Sequence, residues 1–292
     1  METAVLIMLS GLTLGGMYAL SAIGLSLLWG ALGMLNMAHG SMLAIGGYLC
    51  YAIFTYFNLP IYLAIPLAIA LSAFVGFMIY IMIIKHMFRH PSFETNVIIA
   101  TIGLAIVSEN VILKQFGAYP YKQPLSVEGG FRIGDIFVPY QNLVIMGCST
   151  ILVAIVGLVL AKTRMGRAIR AIAINKDAAL LMGVPVGIIY AQVMAISGAL
   201  AAVSGVMLSS ITTLSPNMGD SPMIKAFIIV AVAGLGNVFG AFYVAMGLGM
   251  LEAFLQFTLG VRFAFPIMLL LVILALIWRP YGFFGSKTIM RN

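Results

Sequence analysis

Charge is what this chain has least of. Asp, Glu, Lys and Arg make up 8% of its 292 residues, and hydrophobic residues 63%. A soluble globular domain carries about a quarter of its residues as charges, so that class is excluded. Cysteine is almost absent too. Cys50 and Cys148 both lie in apolar runs, which leaves no disulfide framework. No His, Cys and carboxylate spacing suggests a metal site. Paired catalytic carboxylates, a nucleophile elbow, a dinucleotide fingerprint and a GxxxxGK[ST] phosphate loop are all missing from the sequence. The chain therefore reads as no enzyme and as binding no cofactor or metal of its own. Any energy from ATP must enter through another chain. The net charge of +7 comes from basic residues clustered at the ends of apolar runs. It is a signal of membrane topology and a poor argument for nucleic-acid binding.

What the sequence does have is long apolar runs, and runs of about 20 residues span a bilayer as helices. They fall at Ala4–Leu28, Met34–Phe57, Tyr62–Phe88, Val97–Phe116, Leu143–Ala161, Ile188–Ser210, Met223–Leu235, Val238–Thr258 and Phe263–Trp278. The seventh is too short to cross a core of roughly 30 Å upright. The expectation is an all-α polytopic membrane protein with eight to nine crossings, one short or broken, forming a single transmembrane domain over residues 1–292. Met1-Glu2-Thr3 has no basic n-region, so the first run reads as a span and not a removable signal peptide.

With alternating spans, Lys85, Arg89, Lys162, Arg164, Arg167, Arg170, Lys176, Arg279, Lys287 and Arg291 share one side, while Lys114, Lys122, Arg132, Lys225 and Arg262 fall on or near the other. That bias puts the N-terminus outside and the C-terminus in the cytoplasm. Trp29 and Trp278 then lie at cytoplasmic ends, as an aromatic belt requires. The segment 119–140 is external, and its Pro, Gly and alternating pattern suggest a small hairpin at the membrane surface.

Glycine is plentiful, with 31 residues. Gly11, Gly15 and Ala19, then Ser197, Ala201 and Gly205, then Ala241, Ala245 and Gly249 repeat at a spacing that lets helix backbones approach closely in lipid. Two places differ from this pattern. Gly30 to Ser41 interrupts an apolar run with Asn36, His39, Gly40 and Ser41. Gly234 to Gly240 does so in the other half, with Gly236, Asn237 and Gly240. Paired glycine-interrupted segments point to an internal repeat and a substrate path, although the flanking residues do not align. The bland reading is that His39 is a packed imidazole bonded to a backbone carbonyl. Glu109, Lys225 and Glu252 are the charges within spans, and each should face the bundle interior or a watery cavity.

The charged stretch 162–186 stands out from its apolar surroundings. It holds Arg164, Arg167 and Arg170, followed by a compact helix. Asn175 is its N-cap, Asp177 lies in its first turn, Gly183 follows its end and Pro185 lies beyond. A short capped helix outside the bilayer suits docking into a partner's groove. An ordinary basic cytoplasmic loop is the alternative.

Gly11–Leu49 closely resembles the opening of the LivH-type permeases of branched-chain amino-acid ABC importers, with the pattern GLTLGxxYAL at Gly11–Leu20 and NxAHG at Asn36–Gly40. The likeness continues at Met165-Gly-Arg-Ala-Ile-Arg-Ala, Asp177-Ala-Ala-xxx-Gly183, Lys225-Ala-Phe, Gly234-Leu-Gly-Asn-Val-Phe-Gly-Ala and Arg279-Pro-Tyr-Gly-Phe-Phe-Gly, so it covers nearly the whole chain. The resemblance implies the type II-like ABC importer permease fold. It also implies that Asn175–Gly183 is a coupling helix, with Asp177 where Glu is more usual, engaging an ATPase through Arg167, Arg170, Asn175, Asp177, Ala178, Ala179 and Gly183. Its implied partners are a second, LivM-type permease, two ABC ATPases that hold ATP and Mg, a periplasmic solute-binding protein, and membrane lipid. Leu, Ile and Val or related apolar amino acids are the implied cargo, with urea or short amides as alternatives within the family. From a different class, an ion-coupled secondary transporter would use Glu109, Glu252 or His39 as a relay, and a passive channel would need no docking helix.

Overall fold

The computed structural model describes residues 2–88, 93–125, 127, 129–133 and 136–285. Arg89, Lys287 and Arg291 lie outside the described residues, as do residues 126, 128 and 134–135 of the external loop. The chain opens with α1 (Glu2–Leu32), which ends where Gly33 turns into the left-handed region at φ +62°. The next helix, α2 (His39–Tyr56), starts five residues later than the apolar run at Met34 implies. Asn36 is the cause. Its Oδ1 accepts a hydrogen bond from the Ala38 N–H at 3.1 Å, a local turn that competes with helix.

A continuous rod follows: α3 (Ile61–Ile79), a π-helical turn at Tyr80–Ile84, and α4 (Lys85–Met87). Then come α5 (Phe93–Phe116) and an antiparallel hairpin of β1 (Gly130–Ile133) and β2 (Ile136–Pro139), with Gly130 paired to Pro139. The hairpin stands where the 119–140 pattern places it. The remaining helices are α6 (Tyr140–Lys162), α7 (Arg164–Ile174), α8 (Lys176–Leu181), α9 (Val186–Ile211), α10 (Asp220–Ala233), α11 (Val238–Leu259) and α12 (Val261–Trp278).

Among the described residues seven helical stretches are long and apolar enough to cross a membrane: α1, the α3–α4 rod, α5, α6, α9, α11 and α12. The other two expected crossings are α2 and α10. The 18 residues of α2 begin with His39, Gly40 and Ser41, which lowers its apolarity. The 14 residues of α10 reach only about 21 Å at 1.5 Å per residue.

The bundle centres on α1, whose second half is buried between α9, α10 and α11. Small residues make those contacts. A Cβ on Gly15 would stand 2.8 Å from Met246 Cα of α11, and one on Gly11 would stand 2.7 Å from Met250 Cα. Gly205 of α9 rests on the Leu43 backbone of α2, and Gly198 on that of Ser72 in α3. Lipid tails are as apolar as Leu, so close backbone contact between small residues is what holds helices together here.

Two ends can be told apart. At one lie the end of α1, the α6–α8 elbow, the turn 234–237 and the segment 279–285. Gly30 packs on Gly236, and the Phe283 and Phe284 N–H groups donate to the carbonyls of Val232 (2.7 Å) and Ala233 (3.0 Å). At the other lie the hairpin and the pairing of Tyr121 with Leu214. Lys85, Lys162, Arg164, Arg167, Arg170, Lys176 and Arg279 gather at the first end. Lys225, read from sequence both as a charge within a span and as lying near the second side, faces the bundle interior, its side chain 14% exposed.

Candidate coupling and translocation sites

The α7–α8 elbow is built by caps. Thr163 Oγ1 accepts from the Gly166 N–H at 3.0 Å and starts α7. Asn175 Oδ1 accepts from the Ala178 N–H at 2.9 Å and starts α8. At its far end, Val184 N–H donates to Ala179 O and Gly183 N–H to Leu180 O, each at 3.0 Å. This is a Schellman closure, and it needs Gly183 at φ +81°. One face of α7 carries Gly166, Ile169 and Ile172 into the core, and the other holds Arg164, Arg167 and Arg170 in the open. The Arg170 guanidinium donates to the Leu160 carbonyl, which closes the last turn of α6.

Among the expected coupling residues, Arg167, Arg170, Asn175, Asp177, Ala178 and Gly183 are exposed. Ala179 is not: it packs in the chain's own core with Ile172 and Val186. The outward apolar surface belongs to residues the sequence reading passed over, Ile174, Leu181 and Met182, which are 86%, 89% and 84% exposed. The available signal was their position at the two helix ends, pointing away from the apolar positions that repeat inward.

The expected path residues separate into two places. Asn36, His39, Gly40 and Ser41 are all buried. His39 Nε2 lies 3.1 Å from Ser21 O and Nδ1 lies 3.5 Å from Ser197 Oγ. Ser41 Oγ donates to Ala38 O at 2.9 Å, and Gly40 sits against the Gly219 carbonyl. Gly236, Asn237 and Gly240 lie at the α7–α8 end. There Asn237 caps α11 by accepting from the Gly240 N–H at 2.8 Å, and it donates to Phe284 O at 3.2 Å. Gly30, Gly236, Asn237 and Arg170 line a cavity of about 420 Å³. Ser21 and Gly24 meet His39 while Gly30 meets Gly236, so the two groups stand roughly 9–13 Å apart along α1.

The intramembrane charges also divide. Lys225 Nζ lies 2.8 Å from Glu252 Oε1, their side chains 14% and 5% exposed. Glu109 of α5 is half-buried. With Asn110, Ser215 and Asn217 it lines an open cleft of about 400 Å³. Asp220, at the start of α10, faces Glu109 and is exposed. The last turn of α10 lies at the α7–α8 end, beside Gly285. Asp220 therefore stands about 20 Å from that end along the axis of α10. Sequence reading missed Asp220, Ser215 and Asn217 because they read as an ordinary loop before a short span. Among the described residues no group of three or more His, Cys, Asp or Glu could hold a metal ion.

Residues 7–278 match the family described as branched-chain amino acid transport system / permease component. The chain is 28% identical to the high-affinity branched-chain amino acid transport system permease protein BraD of Pseudomonas aeruginosa over 295 residues, covering 97% of this chain and 96% of the relative. It is equally similar, with the same coverage, to the permease protein LivH of Escherichia coli. The probable permease protein LivH of Methanocaldococcus jannaschii is 28% identical over 283 residues, covering 91% and 88%. No solved structure matches the chain.

Proposed function

We propose, from the premise that this chain belongs to the branched-chain amino acid transport permease family, that it carries Leu, Ile, Val or a similar apolar amino acid inward across a bacterial inner membrane. It is the permease component of a branched-chain amino acid ABC transport system, a multi-pass transport subunit that is not itself catalytic. In the proposed assembly a second, homologous LivM-type permease completes the pair, and two ATPase subunits hold ATP and Mg. A periplasmic binding protein delivers cargo to the hairpin end. The N-terminus faces that outer side and the C-terminus the cytoplasm.

One observation carries the coupling part of this reading: a rigid, doubly capped helical elbow at the basic end, with an apolar tip of Ile174, Leu181 and Met182 that none of the described residues covers. Such a tip suits the groove of a partner. The proton-relay alternative loses Glu252, because that carboxylate is held by Lys225, Tyr18 and Gln256 and offers no free acceptor.

The outer half of the path, in this reading, follows the cleft of Glu109, Asn110, Ser215, Asn217 and Asp220. Support comes from Glu109, which lies on the span-length helix α5 with Asp220 beside it: a carboxylate on a membrane helix must face water or protein and not lipid. Asn36, His39, Gly40 and Ser41 form the packed layer behind it, with Gly40 seating the turn at Gly219. Gly236, Asn237 and Gly240 border the inner exit.

The test uses the complex isolated through this chain in a Cys50→Ala/Cys148→Ala background. An ATPase subunit should accompany it. Asp220→Cys should react with a small water-soluble thiol reagent in at least one nucleotide state, while Asn36→Cys and Ser41→Cys stay protected. Protection at Asp220 in every state, with reaction at Asn36, would move the path to the first segment. Absence of an ATPase would remove the importer assignment.

A further inference from the structure

Lys225 is one of the most fully satisfied side chains in the bundle, and it sits on α10, a helix of only 14 residues. Its Nζ donates to Glu252 Oε1 at 2.8 Å, to Glu252 Oε2 at 3.1 Å and to Tyr18 OH at 2.6 Å. Three ammonium protons thus meet three acceptors. The carboxylate is held in turn: Tyr18 OH donates to Oε2 at 2.7 Å, and Gln256 Nε2 to Oε1 at 3.1 Å. The rings of Tyr18 and Phe265 stand 4.5 and 5.6 Å from Nζ. One cation on α10 is therefore gripped by α1, α11 and α12.

The helix it sits on is short, and its ends are held through backbone alone: the Phe283 and Phe284 N–H groups donate to Val232 O and Ala233 O, and Gly219 rests on Gly40. Neither end of α10 has a side-chain cap: it begins after Gly219 and ends at Gly234, with φ +99°. Its buried face is Met223, Ala226, Ile229, Val230 and Ala233, packed on alanines of α1 such as Ala19 and Ala22. Smooth small-residue packing in lipid holds helices together but distinguishes axial positions poorly. An ion pair does distinguish them. A slip of one residue moves Nζ about 1.5 Å along the axis and turns it by about 100°, out of reach of both carboxylate oxygens. Buried pairs are on average no better for stability than apolar residues of similar volume, and their best-attested role is fixing register.

We infer that Glu252, acting through Lys225, is a positioning residue that sets the height of α10. It thereby places the Gly219–Asp220 turn against Gly40, at the outer path. The turn and Lys225 move as one body, since Asp220 and Lys225 both lie within α10 and Gly219 directly precedes it. This inference rests on the transport reading above.

The test compares Lys225→Met, the doubly apolar Lys225→Met/Glu252→Met and the reversed pair Lys225→Glu/Glu252→Lys in the full transport complex. Assembly yield, amino-acid import per complex and ATP hydrolysed per amino acid imported are measured. The single change strands a buried carboxylate and should depress assembly. The apolar pair should assemble but import at least about tenfold less while still hydrolysing ATP, an uncoupling within the usual range of site-to-site coupling. The reversed pair should recover import. Wild-type import by the apolar pair would overturn the inference. If the apolar pair does not assemble, the reversed pair decides: assembly with import supports positioning, and anything less overturns it. The unmodified complex in the same assay separates the two readings, because failure of ATP-driven import there counts against the transport assignment and not against the pair.

Discussion

Changing Leu181 and Met182 together to Asp should leave the chain inserted and folded and should nearly abolish import. Both side chains are more than four-fifths exposed at the end of α8, against an α7–α8 elbow whose caps do not involve them. Little packing among the described residues is lost by the change. What is lost is an apolar tip that a partner must desolvate, and an unpaired carboxylate there costs at least about 2 kcal/mol, roughly a 30-fold fall in docking. ATPase stimulation by loaded binding protein should fall in step. Ala179→Arg is a different experiment: Ala179 packs against Ile172 and Val186, so that variant should lose folded protein first. Full import by the Leu181→Asp/Met182→Asp variant, with normal ATPase stimulation, would mean that the elbow is only a loop.

Gly249→Leu should remove most of the folded complex. Gly249 lies where α11 crosses α1, and a Cβ there would stand 2.5 Å from Gly15 Cα and 2.6 Å from Gly11 O. Those atoms are backbone and cannot swing aside, so the helices must separate along their most extensive contact. Overpacking by a methylene or so already costs about 1–3 kcal/mol, and Leu adds far more volume than that. Gly247→Leu is the matched control. It lies two residues away on the same helix, is exposed, and has nothing within 4 Å of an added Cβ. Yield after detergent extraction and size-exclusion chromatography should drop severely for the first variant and barely for the second. Equal yields would show that the α1–α11 crossing is looser than this structure has it.

The all-helical membrane class and the seven span-length helices were legible because hydrocarbon demands length and apolarity, and both are local. The α8 caps were legible for the same reason: Asn175 and Gly183 act on backbone groups three or four residues away. The glycine spacing of Gly11 and Gly15 against Gly249 was legible as close packing, though not which helix it would meet. What stayed hidden depends on pairing across the fold. Lys225 and Glu252 are 27 residues apart, and Tyr18 lies far from both in sequence. That Lys225 and Glu252 should each face the interior was legible; that they face each other was not. The start of α2 was placed too early because Met34 to Ala38 is as apolar as a helix, while the turn made by Asn36 depends on one side-chain hydrogen bond. Asp220 is hidden in the sequence because its approach to Glu109 joins two residues far apart along the chain.

The most direct measurement is uptake of labelled leucine into vesicles holding the reconstituted complex, with the cognate binding protein outside and the ATPase subunits facing the lumen. Uptake should require ATP inside and binding protein outside, stop when hydrolysis is blocked, and continue when an ionophore collapses the proton and sodium gradients. Uptake that proceeds without ATP and stops with the ionophore would make this chain an ion-coupled carrier.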